Sequence, residues 1–132
     1  MLSRPFATAL ADGVLVPGDT VFDFGCGRGD DLARLSNLGF AAAGWDPTHR
    51  PRSELQPSAV VNLGYVVNVI EDQDQRAQAL RRAWALATKV LIVAARMSWD
   101  ARGLVGRAFG DGMITRRGTF QKFYEHLELV EW

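Results

Sequence analysis

A glycine-rich segment with acids on both sides lies near the start of this 132-residue sequence. It reads VFDFGCGRGDD over residues 21–31, with Asp23 before the glycines Gly25, Gly27 and Gly29 and two aspartates after them. Loops of this kind bring backbone N–H groups close to a ligand, and the start of the following helix favours negatively charged groups such as phosphate. Two aspartates at that position would repel a pyrophosphate, so the segment indicates a ligand that carries positive charge.

A further acid, Asp46, follows at a distance typical of nucleoside-binding sites. It stands 21 residues after Gly25, close to the separation at which an acid binds ribose hydroxyls in dinucleotide-binding folds. S-adenosylmethionine, a nucleoside with an ammonium, a sulfonium and no phosphate, fits the loop and the acids together. A nicotinamide dinucleotide fits less well, because Asp30 and Asp31 would meet its pyrophosphate. In the structural alternative, these two residues cap the helix and Asp46 begins an Asp-Pro turn.

Hydrophobic patterning places the loop in an α/β domain. Apolar runs alternate with segments of helical periodicity, which predicts a doubly wound, mostly parallel sheet that binds its ligand at the carboxyl ends of the strands. The predicted strands are Val21–Phe24, one within 40–47, one within 59–70, and 90–96, the last buried on both faces. The first two predicted helices lie around Phe6 and Leu10 and from Asp30 to Gly39. The third follows an N-cap at Asp72 and has on one face Ala77, Leu80, Trp84 and Ala87. The fourth begins at about Thr119 and has on one face Phe120, Phe123, Tyr124 and Leu127.

Composition limits the class of protein. A chain of 132 residues predicts one domain, 1–132, with a core that needs no disulfide. Equal numbers of acidic and basic residues, 15 each, mean that binding to nucleic acid or membrane requires a local patch. Cys26 is the only cysteine, which excludes an internal disulfide and a cysteine-rich metal site. No apolar run approaches the roughly 18 residues of a membrane span and the N-terminus lacks a signal-peptide core, so a cytoplasmic protein without membrane contact is expected.

Several segments together resemble a known enzyme family. From Val21 to about Arg96 the sequence is similar to class I S-adenosylmethionine-dependent methyltransferases, whose first motif reads like VFDFGCGRG and whose second strand ends in an acid like Asp46. More narrowly, FDFGCGRGDD, GWDP, VVNLGYVVNVIED, ALRRAWALA and TRRGTFQKFYE look like methyltransferases associated with DNA phosphorothioation. The resemblance implies a Rossmann-like fold, S-adenosylmethionine as cofactor and a nucleic-acid substrate, DNA above all. Members of the narrower group are longer, so this chain resembles their methyltransferase domain alone.

The resemblance also implies roles for residues around the cofactor. Asp23 would reach the methionine amino group, and Asp46 would hold the ribose hydroxyls. Leu63 and Gly64, after the third strand, would flank the cofactor, and Pro47 would help to wall the adenine. The loop residues expected at the methionine and ribose are Gly25, Cys26, Gly27 and Gly29.

The candidate catalytic residues are Asn62 and Tyr65, in the segment NLGY. This segment occupies the place where DNA amino-methyltransferases carry N-P-P-Y or D-P-P-Y, whose polar head binds the target amine and whose aromatic ring stacks on an extruded base. Both prolines are missing here, which argues against methylation of a base nitrogen. The structural alternative makes Asn62 a satisfied strand-end residue and Tyr65 a core aromatic.

Only twelve residues separate Asp46 from Ala59, where a full methyltransferase sheet carries a helix, a strand and another helix. We therefore expect a shortened core between the second and fourth strand positions, with a second copy of the chain or a partner protein over the exposed sheet edge. The shortened core also favours a second class of function, a non-catalytic module that binds the cofactor or its demethylated product. A small-molecule methyltransferase is a further alternative.

Other polar residues have a structural explanation that is at least as good as a functional one. His49 could act as a general base, but a lone histidine in a loop is more often solvated. Asn68 and Glu71 occupy a segment that many small-molecule methyltransferases place beside their substrate. A group of arginines in the tail could contact phosphates or be solvated, namely Arg102, Arg107, Arg116 and Arg117.

Overall fold

The computed structural model describes residues 1–96, 106–115, 120–122, 124–125 and 128–129. These residues form two compact units, one of Met1–Gly64 and Arg81–Val93, the other of Tyr65–Leu80 and the described part of Ala94–Trp132. The single domain expected over 1–132 stays a prediction. The elements in chain order are α1 (Arg4–Ala11), β1 (Thr20–Phe24), α2 (Asp30–Asn37), β2 (Ala41–Trp45), β3 (Ser58–Gly64), α3 (Gln73–Leu86), β4 (Ala87–Ala94), β5 (Gly106–Phe109), β6 (Gly112–Thr115) and β7 (Phe120–Gln121).

The first unit is built on a four-stranded sheet with the order β2-β1-β3-β4. Strand β1 pairs in parallel with both β2 and β3. The register places Asp23 beside Gly44 on one side and beside Asn62 on the other. The predicted α/β fold with a mostly parallel sheet is therefore confirmed, and the carboxyl ends of three strands meet at the glycine loop.

An apolar core holds this sheet in place. Phe6 of α1, Val21 of β1, Leu35 of α2 and Val60 of β3 pack together and are almost fully buried. Burial of each such side chain stabilises the fold by roughly 1.5–3 kcal/mol. The core thereby fixes the ends of β1, β2 and β3, from which the predicted site residues emerge.

Strand β2 packs closely against the glycine loop at Gly44. A Cβ added at Gly44 would lie 2.8 Å from the Cβ of Cys26 and 2.9 Å from the carbonyl oxygen of Asp23. Such distances are too short for any side chain, so a glycine is required where β2 passes beneath the loop. This close approach couples the position of β2 to the position of the glycine loop.

The connection from β2 to β3 is irregular. Residues 47–57 form turns and extended backbone without a helix or strand, which confirms the predicted shortened core. A cleft of about 500 Å³ lies between α2, β2 and this connection, with Leu32, Ser36, Arg50 and Gln56 among its walls. That a second copy or a partner protein covers this side of the unit stays a prediction.

The N-cap of α3 is confirmed, but its predicted buried face is wrong. The carboxylate of Asp72 accepts hydrogen bonds from the N–H groups of Asp74 and Gln75 at 2.8 and 3.0 Å. Trp84 is 69% exposed, and the buried positions are Arg76, Ala79 and Ala83. The hydrophobic pattern failed because the helix buries an arginine, which counts as polar in any such pattern.

Arg76 is buried because Asp111, in the same unit, pairs with its charge. Its guanidinium donates to both carboxylate oxygens of Asp111, at 2.7 and 3.2 Å, and to the carbonyl of Ile70. The side-chain hydrogen bond from Arg76 is the main reason why the pKa of Asp111 lies below its usual value. This pair ties the turn between β5 and β6 to the start of α3.

Two further elements differ from the prediction. The side chains of β4 are half-buried or exposed, not buried on both faces, because β4 stands at the end of the strand order. Phe120–Gln121 forms β7, which pairs with β6 in an antiparallel sheet, so the helix predicted from Thr119 is wrong at these residues because a backbone ladder replaces it. Thr119, Phe123, His126 and Leu127 lie outside the described residues. None of the helices that the structure describes is long and apolar enough to cross a membrane.

Candidate functional site

The glycine loop owes its shape to backbone conformations that only glycine adopts without strain. Gly25, Gly27 and Gly29 have φ angles of 93°, 56° and 88°, all in the left-handed region. The N–H groups of Gly25 and Cys26 both donate to the carbonyl of Trp45, at 2.7 and 3.0 Å. Since L side chains cost roughly 1–2 kcal/mol in this region, the three glycines are needed to turn the chain sharply from β1 into α2.

Asp46 fastens this loop to the end of β2. One carboxylate oxygen accepts the N–H of Gly27 at 2.9 Å, and the other accepts the N–H groups of Thr48 and His49, each at 2.9 Å. Burial alone would raise the pKa of Asp46, but the backbone N–H groups of His49, Thr48 and Gly27 outweigh it and hold the pKa below its usual value. A carboxylate has about four acceptor positions, so one remains for a ligand hydroxyl. Asp46 therefore begins a turn, as the structural alternative expected, and also lies at the loop.

Asp23 is the buried acid of the site. It is 5% exposed and lies on β1, directly before the loop. Burial is the main cause that raises its pKa to about 6; the hydrogen bond from Asn62 acts against this rise, and the charges of Asp31 and Asp46 add to it. A buried carboxylate among other acids is unfavourable by itself and would gain from a positively charged partner.

Asn62 faces Asp23 from the neighbouring strand. Its Nδ2 donates to Oδ1 of Asp23 at 3.1 Å, and the residue is 3% exposed. Its own Oδ1 has no hydrogen-bond partner within the described part of the chain. A Cβ at Gly64 would lie 2.9 Å from Nδ2 of Asn62, so Gly64 makes room for this side chain, while Leu63 is fully buried in the core. The pairing of Asp23 with Asn62 was missed because both residues were considered separately, and only the register of β1 against β3 brings them together.

Tyr65, the second candidate catalytic residue, opens the second unit. It is the one non-glycine residue with positive φ, 59°, among the described residues, and it is 39% exposed. Its N–H donates to the carbonyl of Ala94 at 2.7 Å. A strained backbone of this kind costs about 1–3 kcal/mol and is enriched at functional positions. The alternative of a core aromatic does not hold for Tyr65.

Cys26 and Pro47 take different places around the loop. Cys26 is buried, and burial is the main cause that raises the pKa of its thiol, with the charge of Asp23 adding to the effect; it is therefore not a nucleophile. Pro47 is exposed at the turn after Asp46. A Cβ on Gly29 would lie 2.7 Å from the guanidinium of Arg50. The bridge between the backbones of Asp46 and Arg50 brings it there.

The two aspartates after the loop have separate environments. Asp31 accepts the N–H of Ser3 at 2.8 Å, which ties α2 to the start of α1. Asp30 is exposed in the first turn of α2. Both stabilise a helix N-terminus that has no side-chain cap, since Gly29 stands at the N-cap.

The side chains of the remaining candidates that the structure describes are not hydrogen-bonded to Asp23 or Asp46, and His49 contributes only its backbone N–H. His49 and Glu71 are exposed, and Asn68 is buried with its Nδ2 donating to Gln121. Arg107 is exposed on β5, while Arg102, Arg116 and Arg117 lie outside the described residues. The described residues contain no group of three or more His, Cys, Asp or Glu side chains that could hold a metal ion.

Comparison with known proteins identifies the fold. No protein-family model and no curated protein matches the sequence. Among solved structures, a 1,6-didemethyltoxoflavin-N1-methyltransferase of Burkholderia thailandensis, with bound 1,6-didemethyltoxoflavin and S-adenosylhomocysteine, matches 97% of the chain with a TM-score of 0.67 and 17% identity. The CcbJ methyltransferase of Streptomyces caelestis matches 95% with a TM-score of 0.63 and 16% identity. The chain spans 63% of the first structure and 74% of the second. The chain thus shares the Rossmann-like α/β fold of these two methyltransferase structures, in a shortened form.

Proposed function

We propose that the chain is a methyltransferase domain that uses S-adenosylmethionine. The observation that carries this proposal is the acid–glycine–acid arrangement, in which a buried Asp23 and a turn-forming Asp46 enclose the glycine loop. Asp46 already holds Gly27 at 2.9 Å, so loop and acid form one structure. The Burkholderia structure of the same fold contains S-adenosylhomocysteine, which is the cofactor without its transferable methyl group.

The residues present suit a ligand with an ammonium group and a ribose. Asp23 supplies a carboxylate that forms no ion pair with the residues the structure describes, and the free acceptor position of Asp46 can take one ribose hydroxyl. The left-handed Gly27 leaves the loop surface without a side chain, so a ligand can approach the backbone closely. The bound cofactor would supply the activated methyl group, and the protein's task is then to align an acceptor with it.

For the acceptor, we propose a small molecule. Asn62, which would correspond to the polar head of the DNA amino-methyltransferase motif, is buried and donates to Asp23. The amide of Asn62 is therefore already hydrogen-bonded beneath the loop, and a large extruded base could bind it only by displacing this hydrogen bond. The Burkholderia protein of the same fold is named for a small heterocycle, which supports this choice.

A nucleic-acid acceptor is the second candidate, and Tyr65 is the observation that favours it. The resemblance to phosphorothioation-associated methyltransferases supports the same substrate, and DNA is the form it implies. Stacking of one base on an exposed aromatic ring is worth about 1–3 kcal/mol. A strained and half-exposed tyrosine directly after β3 suits such a role.

The acceptor is tested at Tyr65. If the ring stacks on a base, Tyr65→Ala should reduce methyl transfer to an oligonucleotide by roughly 5- to 150-fold, whereas Tyr65→Phe should retain it because the ring is kept. Affinity for S-adenosylhomocysteine should stay within about twofold in both variants. Transfer of labelled methyl groups to DNA, RNA and small-molecule pools is the measurement. If oligonucleotides accept no label in the unaltered protein while a small-molecule fraction does, the nucleic-acid candidate is excluded.

The cofactor is tested at Asp46. We expect Asp46→Ala to weaken binding of S-adenosylhomocysteine by about 1–3 kcal/mol, the range for leaving hydrogen-bonding partners unpaired. Titration calorimetry measures this, with NAD as the comparison ligand. Asp46→Asn is the control, because it keeps one acceptor oxygen for the turn and should lose less affinity than the alanine variant. Unchanged affinity in Asp46→Ala would remove this residue from the site. Binding of the nucleoside without methyl transfer to any pool would favour the non-catalytic module.

A further inference from the structure

The acid–amide pair of Asp23 and Asn62 has a hydrogen-bonding imbalance. The amide Nδ2 donates to Asp23 at 3.1 Å, but the amide Oδ1 has no donor among the described residues, and the side chain is almost fully buried. A buried amide oxygen without a partner is unfavourable, because it has lost its hydrogen bond to water. The pair is therefore incomplete while Asp23 is a carboxylate, since a carboxylate has no proton to donate.

A proton on Asp23 would complete the pair. A neutral carboxyl group has one O–H donor and remaining acceptor capacity, so it can accept from Nδ2 and donate to Oδ1 of the same amide. The charged groups around it favour this neutral form, because the negative charges of Asp31 in α2 and Asp46 after β2 disfavour a further negative charge on Asp23. The thiol of Cys26 is neutral, and Arg50 beyond it lies exposed against Gly29. The pKa of about 6 that results chiefly from burial agrees with this geometry.

We propose that Asp23 and Asn62 form a proton-linked switch. Without ligand, a protonated Asp23 and Asn62 form an acid–amide pair with two hydrogen bonds. When the cofactor binds, its ammonium group takes the place of that proton and the pair separates. This inference rests on the proposed function of the site. On binding, the O–H bond of Asp23 breaks and its proton passes to the buffer. The ligand ammonium then donates to the carboxylate and, with a second N–H, to Oδ1 of Asn62. No other bond changes, so the net reaction exchanges one cation for another.

The consequence is that binding releases protons and strengthens with rising pH. With half-protonation near the pKa of about 6, we expect about half a proton released per ligand at about pH 6 and almost none above about pH 7. Affinity for S-adenosylhomocysteine should be about tenfold weaker at about pH 5 than above about pH 7. Titration calorimetry in buffers of different ionisation enthalpy measures both quantities.

Two controls identify the source of the proton. Methylthioadenosine lacks the amino acid, so it should bind without proton release. His49→Gln removes the imidazole of the turn after Asp46, and proton release should persist in this variant. Loss of the release in His49→Gln, or the same release with methylthioadenosine, would overturn the switch.

The outcomes separate the switch from the function on which it rests. Tight binding of S-adenosylhomocysteine with no proton release between about pH 5 and about pH 7 overturns the switch and leaves the proposed function intact. Absence of binding at every pH overturns both. In the free protein, the carboxyl carbon of Asp23 and the amide carbon of Asn62 should change their NMR chemical shifts with one common midpoint. Independent midpoints for these two signals would also contradict the pair.

Discussion

Gly27→Val is expected to abolish binding of S-adenosylhomocysteine while the protein stays folded. Apart from the two neighbouring residues in the chain, no atom of the described protein lies within 4 Å of the place that a Cβ on Gly27 would occupy, so the new Cβ meets no other part of the fold. It would instead project from the loop surface that the ligand must approach. We expect affinity to fall by at least about 100-fold, or roughly 2.7 kcal/mol. Titration calorimetry gives the affinity, and thermal unfolding shows whether the fold is retained.

The backbone of Gly27 requires a control of its own. Its φ of 56° makes any L side chain unfavourable, by roughly 1–2 kcal/mol and more for a β-branched residue. Gly13→Val is the matched control, since Gly13 belongs to the same unit, has a φ of 73° and likewise has open space before it. Both variants should lose similar stability, and only Gly27→Val should lose binding. Equal affinities in the two variants would mean that the loop is only a turn.

Local sequence patterns predicted the loop, its strand and the acid after β2. Apolar alternation, glycines and a single Asp-Pro step are signals within a few residues, and such signals determine where β1 ends and how the chain turns. Asp46 shows the limit of this reasoning. Ribose binding and turn formation were set against each other as alternatives, whereas its two oxygens allow contacts to Gly27 on one side and to Thr48 and His49 on the other.

The parts that the sequence did not predict depend on contacts between distant segments. Asp23 and Asn62 are 39 residues apart, and only the strand register brings their side chains together. The buried face of α3 depends on Asp111, 35 residues after Arg76, which makes an arginine a core residue. Arg50 reaches Gly29 because the connection after β2 contains no helix. In each case a pairwise contact, not the periodicity of one segment, determines where the side chain lies.

Asp23→Asn is expected to remove cofactor binding and at the same time to stabilise the protein at neutral pH. The pKa of Asp23 rises from 3.8 to about 6 on folding, so the folded state holds this proton more tightly than the unfolded state. The contribution of Asp23 to stability is therefore fully present below about pH 4 and is lost as the pH rises through about 6. Above that range the buried charge destabilises the fold. An asparagine carries no charge, and its amide can both accept from Nδ2 of Asn62 and donate to its Oδ1, as the protonated acid would.

The free energy of unfolding of Asp23→Asn should thus exceed that of the unaltered protein by about 1–3 kcal/mol above about pH 6. The difference should shrink towards zero below about pH 4, where Asp23 becomes protonated in the unfolded state as well as in the folded one. Denaturant unfolding followed by tryptophan fluorescence measures it across this range. Asp30→Asn is the control, because it removes the same charge from an exposed position in α2 and should give no gain at neutral pH. A pH-independent difference, or a less stable Asp23→Asn at neutral pH, would contradict the buried-charge account. Gain of stability together with loss of binding would identify Asp23 as an acid kept for its ligand, since the fold alone is better served by a neutral side chain there.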